Sequence, residues 1–245
     1  MFFPLQLPSF LRLMSDAKIL RSSVKLQHSP PTMKRIQFTT LLCLLTLSVS
    51  RLSQAGPVTA DGEKLLAFLD AMHVEEHWIA GAIVDWKTGE PTGQAVKDDG
   101  KHTHCSQFAA AACERTGIYL LRPPEHSAVL LANAQYEWLL EQGRKKGWTA
   151  VAEGREAQEL ANQGTVVVAV YKNQDAQKSG HIAMIRPSTK SIAQIKAEGP
   201  QVTQAGGTNH NSCSLKEGFS NHRAAYEKGE ILFFAHAKPR AGKKP

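Results

Sequence analysis

The chain changes its period near residue 165, and that change limits the folds open to it. Thr165 to Tyr171 is a β-branched and apolar run, and His181 to Arg186, about Val202 to Ala205, and Ile231 to Ala235 also read as strands. The earlier segments read as helices. Within Asp61 to His73, Leu65, Leu66, Phe68, Leu69 and Met72 fall on a helical period, with Asp61 as the expected N-cap. The small, mostly apolar residues from Ser106 to Cys113, followed by Gly117, predict a buried helix. Past the Pro123-Pro124 break, Leu130, Leu131, Ala134, Trp138 and Leu139 predict an amphipathic helix opening at Ser127 and ending near Gln142. A shorter one around Glu156 to Ala161 ends at Gly164. His77-Trp78 through Thr92-Gly93 reads as loop with a short strand at Ala82 to Trp86, and Asp98-Asp99-Gly100 as a turn. Helices first and sequential strands after, on short connections, predict an α+β fold with an antiparallel sheet.

The first 55 residues read differently. Met33-Lys34-Arg35 is a basic start, Phe38 to Val49 an apolar run of about a dozen residues, and Ser53-Gln54-Ala55 puts small residues at −3 and −1 of a cleavage site. These are the parts of a secretory signal, and the run is too short for a bilayer core that needs about 20 apolar residues. Residues 1 to 32 precede that signal and read as a dispensable leader or a start assigned too far upstream. Leu42 stands where a lipobox before Cys43 needs Gly or Ala. The expected product is exported, to periplasm or beyond, with no lasting membrane anchor. It carries one domain over 56–237 and a basic tail over 238–245.

Charge follows from the same division. Residues 1 to 55 hold seven of 29 Lys+Arg and one of 22 Asp+Glu, which leaves 29−7=22 against 22−1=21, or about +1. Four of the remaining bases, Lys238, Arg240, Lys243 and Lys244, lie in the tail. The folded body therefore offers no basic excess for nucleic acid, and nucleic acid is not an expected partner. Cys105, Cys113 and Cys213 remain after cleavage. An odd count in an oxidising compartment suggests one pair and one working thiol, with Cys105 as the thiol and a Cys113–Cys213 bridge left open.

The densest signal is Gly100-Lys101-His102-Thr103-His104-Cys105-Ser106-Gln107-Phe108, a loop that turns at Cys105 into the Ala-rich helix. Unpaired N–H groups and the macrodipole at a helix start favour an anion, which predicts a lowered thiol pKa and donors for an oxyanion. The second signal is Ser179-Gly180-His181-Ile182-Ala183-Met184-Ile185, a histidine heading an apolar strand, with Gly180 expected to leave room beside the ring. A base on a strand facing a nucleophile on a helix is the arrangement Cys/His catalysis requires.

Cys-Ser-x-Phe opening a small-residue helix, followed by Gly-His-Ile-Ala-Met-Ile, resembles the core of NlpC/P60 and CHAP domains, papain-like hydrolases of bacterial cell-wall peptides. The likeness covers about residues 100 to 236; Asp61 to Asp99 and the helix at 127 to 142 lie outside the minimal pattern. It implies a papain-like α+β domain with N-terminal helices on a small antiparallel sheet. It also implies a Cys105 nucleophile, a His181 base, and peptidoglycan or another peptide as substrate. A polar orienter is expected on the strand after the histidine: Gln204 occupies the matching place, and Asn209 in Gly-Gly-Thr-Asn is the alternative. Neither carries a charge, so either would fix the imidazole tautomer without a carboxylate's pull.

Other chemistry is weaker. His102, His104, Cys105, His210 and Cys213 are possible metal ligands, but without Cys-x-x-Cys or His-x-x-x-His spacing no metal or other cofactor is expected. His77, Trp78 and Trp86 are candidates for a groove wall as well as for core. The same resemblance allows a transpeptidase, a protease, or a non-catalytic binding module.

Overall fold

The computed structural model describes residues 55–97 and 100–236. The segments expected as leader and signal, the expected turn at Asp98-Asp99 and the basic segment over 238–245 lie outside the described residues. Seven α-helices and six strands are described: α1 Ala60–Asp70, α2 Cys105–Arg115, α3 Leu131–Glu141, β1 Trp148–Val151, α4 Gly154–Asn162, β2 Val166–Tyr171, β3 His181–Ile185, α5 Ile192–Glu198, β4 Gln201–Gln204, β5 His210–Ser214, α6 Leu215–Gly218, α7 Arg223–Glu227 and β6 Leu232–His236. The strands form one antiparallel sheet in the order β1-β6-β2-β3-β4-β5. The fold is α+β. Among the described residues no helix is long and apolar enough to cross a membrane.

Both faces of the sheet are covered. Leu65, Leu69, Phe108 and Ala112 of α1 and α2 pack with Val166, Val168, Val170, Ile182 and Met184. Ala157 and Ala161 of α4, Leu215 of α6 and Phe219 pack with Val167, Ala169, Ala183, Ile185 and Val202 on the other face. This is why all of β2 is buried and its sequence is an unbroken apolar run. Each aliphatic side chain so buried contributes about 1.5–3 kcal/mol. The order of elements is also more mixed than expected. β1 precedes α4, and α5 to α7 lie between strands.

Local physics moves several boundaries. Thr59, and not Asp61, caps α1: its Oγ1 accepts from the Gly62 N–H at 3.2 Å and donates to the Asn162 carbonyl at 3.0 Å. Asp61 pairs with Lys64 in solvent. α3 starts at Leu131 and not at Ser127, because Leu130 takes φ 54° and leaves the helical path. Ala82 to Trp86 makes only an isolated bridge, Val84 to Pro91. Trp78 is fully buried and its Nε1 donates to the Trp86 carbonyl, so it is core and not groove wall.

Cys113 and Cys213 are both free. Cys113 sits in α2 among the core residues of one face and Cys213 in β5 among those of the other, so the sheet lies between them. Burial pushes each thiol up to about 12. Reductant is therefore expected to leave the melting temperature unchanged. A fall of several degrees would reveal a stabilising bridge.

Candidate active site

α2 enters the core at its first residue. Every side chain from Cys105 to Cys113 is buried, which the Ala run permits by bringing the helix close to the sheet. Gln135, fully buried on α3, donates through Nε2 to the carbonyls of Ser106 and Leu121 and so ties down the first turn of α2. On the other side of that turn, His104 places Nδ1 2.7 Å from Gln107 Oε1 and Nε2 2.9 Å from the Ala82 carbonyl. His104 is thus a clip between the 79–82 loop and the helix start.

Cys105 is 4% exposed and lies against the backbone of Ile182, the residue after His181. The backbone N–H groups of Ile182, Ser106 and Cys105 itself favour the thiolate, but burial is the larger influence and raises the thiol above its ordinary value. The lowering expected from the helix start is overturned for the resting site. The thiol is neutral at physiological pH.

β3 presents His181, Ala183 and Ile185 to one face and Ile182 and Met184 to the face that carries α2. His181 stands opposite Tyr171, 6% exposed, and its ring lies on the face away from α2. The expected facing of this base and Cys105 across the helix–strand contact is therefore not what the structure shows: the strand's alternation sends Ile182, not His181, toward the helix. The edge of its ring meets Phe219 at 4.7 Å, and His222 stacks on it at 5.8 Å and 27°. Burial, reinforced by the neighbouring His222, holds its pKa down to about 3, while Gln204 pulls in the opposite direction. His181 is therefore a neutral base over almost the whole accessible pH range.

The β3–β4 register, Met184 to Thr203 and Ile185 to Val202, puts Gln204 on the His181 face. Gln204 Nε2 donates to the Thr208 carbonyl at 2.8 Å, which fixes the amide. Its Oε1 and His181 Nε2 are both buried without a formed hydrogen bond. Asn209 does not serve this role: its Nδ2 donates to the carbonyls of Val74, His77 and Trp78, and its Oδ1 accepts from the Gly206 N–H. It holds the 74–78 loop.

Gly180 also has a different task from the one expected. A Cβ there would stand 2.0 Å from the Tyr171 carbonyl oxygen and 2.6 Å from Asn133 Oδ1, so the missing side chain admits these groups and not the imidazole. Asn133 Oδ1 accepts from the N–H groups of Gly180 and Asn173, and Nδ2 donates to the Lys178 carbonyl. That amide fixes the loop delivering His181 to the sheet. Gly180→Ala is expected to cost about 3 kcal/mol or more through backbone displacement and lost hydrogen bonds, read as a lower urea midpoint. An unchanged midpoint would contradict this packing.

Among the described residues no three His, Cys, Asp or Glu side chains are grouped to hold a metal ion, and His102, His104, His210 and Cys213 do not converge. A cavity of about 510 Å³, lined by Ile192, Ile195, Leu215 and Phe233 among others, contains none of the residues named as site candidates. Asn133, Gln135, Phe219 and His222 were not legible as site residues. Their roles come from contacts across 14 or more positions, and only the amide pattern of a buried Asn or Gln hints at them. Compared with models of protein families and with curated proteins, the chain has no match. Its chemistry has to come from the residues themselves.

Proposed function

We propose that the chain is an exported cysteine hydrolase of the papain-like NlpC/P60 and CHAP kind that cleaves amide bonds in peptidoglycan stem peptides. The observation that carries the reading is the placement of Cys105 at the start of a buried helix. Its sulfur lies on backbone N–H groups and against the backbone of the strand that begins with His181, a neutral imidazole whose Nε2 is buried without a hydrogen-bond partner. The two side chains lie on opposite faces of the sheet, Cys105 with α2 and His181 with Phe219 and His222. This mechanism therefore requires the imidazole to turn toward the start of α2 and take the Cys105 proton as Sγ attacks the scissile carbonyl. The C–N bond then breaks, the amine leaves with that proton, and water hydrolyses the thioester. N–H groups at the α2 start hold the oxyanion as it forms. Gln204 Oε1 accepts from His181 Nε2 and fixes the tautomer. Because both resting groups are neutral, His181 acts as a general base during attack and not as half of a preformed ion pair.

The substrate follows from the resemblance of the two motifs and from the signal-like segment at Met33 to Ala55, which supports export. The test is digestion of purified peptidoglycan by the chain and mass analysis of the fragments. New amino and carboxyl termini within the stem peptide, or at the amide that joins stem to sugar, are expected. Intact muropeptides after long incubation would refute the substrate. Adding an amine acceptor separates hydrolysis from acyl transfer, since a transpeptidase would give the transfer product. A second reading, a binding module that keeps the scaffold without turnover, draws support from the burial of the sulfur. Retention of the chain on sacculi with no fragment release would select it.

A further inference from the structure

His222 has no place in the reaction just described, yet its ring is set against the base. It sits in the 3-10 turn Ser220–His222 between α6 and α7, half-buried, and it touches the site from the face opposite α2. Its ring stacks on His181 at 27° and meets Tyr171 at 5.2 Å, while Phe219 from the same turn closes on His181 edge-on at 79°. The imidazole of His181 is thus flanked by two rings, Phe219 and His222, and by the Gln204 amide. Two roles are open to a second histidine here. A proton relay would require a nitrogen of one ring to point at a nitrogen of the other, in the plane of the donor. Near-parallel rings 5.8 Å apart aim their N–H groups sideways, so they do not pass a proton between them.

We infer that His222 is a positioning residue for His181: its ring, with Phe219, holds the base in one orientation and keeps water from its face. The inference rests on the proposed reading of His181 as base, and it adds a device for keeping that base neutral. The titratable groups that face His222 are His181 from β3 and Tyr171 from β2; the neighbouring Arg223 is paired with Glu227. Removing the ring admits water to His181 and removes the repulsion that His222 exerts once protonated, and both effects favour the imidazolium.

The test uses the full chain with ¹⁵N-labelled histidine, observed at pH 5.5, with the His181 signals assigned through His181→Gln. In the wild type they are expected to be those of a neutral ring. In His222→Ala they move to those of a partly protonated ring, and in His222→Phe, which keeps the stack, they return to neutral. On a peptide substrate the alanine variant should lose about tenfold in kcat with KM within about twofold. It should also gain a loss of activity between pH 7 and 5 that the wild type lacks. His222→Phe should recover most of that kcat. If the alanine variant does not fold, His222→Gln, which keeps bulk without a ring, takes its place. A His181 ring that stays neutral in the ring-less variant overturns the inference. Neutral-to-protonated shifts with no turnover in any variant, wild type included, would instead leave the clamp standing and refute the hydrolase.

Discussion

Cys105→Ala is expected to abolish release of peptidoglycan fragments, by about a thousandfold or more, while the urea midpoint of the protein changes little. The sulfur is the only atom of that side chain assigned to chemistry, and its removal from a covalent mechanism leaves no thiol in the first turn of α2. The structural cost is small because alanine suits a helix whose neighbours from Ala109 to Ala112 are already alanine. Cys105→Ser should fail almost as completely, since a neutral imidazole in this buried setting deprotonates a hydroxyl far less readily than a thiol. Cys113→Ser and Cys213→Ser provide the contrast: both thiols lie in apolar core on either side of the sheet, and activity should survive wherever the fold does. Fragment release within tenfold of wild type by the Cys105→Ala protein would remove the thiol from the mechanism.

Acid should destabilise the fold well above the carboxylate range. His181, His104 and His222 all have pKa values below that of an ordinary histidine, with burial the largest cause in each. The unfolded chain therefore binds protons that the folded one refuses, and stability is full above the ordinary histidine range and declines as pH falls through it. For His181 the decline continues to about 3. Its steepest slope is about 1.4 kcal/mol per pH unit, so two units below the ordinary value the loss from this residue alone is about 3 kcal/mol. Asp70, held below the usual carboxylate range by Asn211 and Arg186 against its own burial, adds a loss of the same sign at lower pH. Urea midpoints measured at pH 7 and 4.5 should differ accordingly, and His181→Gln should flatten the difference. Equal midpoints at the two pH values would mean that the imidazole is not held neutral by the fold.

The sequence exposes what is apolar and periodic. β2, β3, β4 and β6 fall within two residues of their expected positions because they are central or buried, and their side chains have to satisfy packing. β1 and β5 occupy the two edges of the sheet, where Trp148-Thr149-Ala150-Val151 is short and His210-Asn211-Ser212-Cys213-Ser214 is mostly polar. An edge strand with one free side carries little hydrophobic signal. α5 is likewise brief, and its start is set by a reciprocal Ser191 and Gln194 cap and not by a long apolar stripe.

At the candidate site, motif and strand order single out Cys105, His181 and Gln204, because those residues lie beside glycine, alanine and apolar runs that leave a pattern, but they do not reveal that the sheet lies between the first and the other two. The thiol pKa departs from the expected direction for a physical reason. A helix start acts over one turn, whereas desolvation acts on the whole sulfur, and a residue 4% exposed is governed by the second. Asn209 could not be told from Gln204 by sequence. Their roles differ through which carbonyls lie nearby, and those of Val74, His77 and Trp78 are more than 130 positions away.

The central claim is that Cys105 carries the acyl group between two half-reactions. Mixing the protein with a stem-peptide fragment, quenching in acid within the first turnover and mapping the digest by mass tests it directly. The claim predicts the mass of the substrate's acyl portion on the peptide that contains Cys105, lost when quenching is delayed. Cleaved substrate with no adduct at Cys105 at any time, or an adduct confined to Cys113 or Cys213, would contradict it.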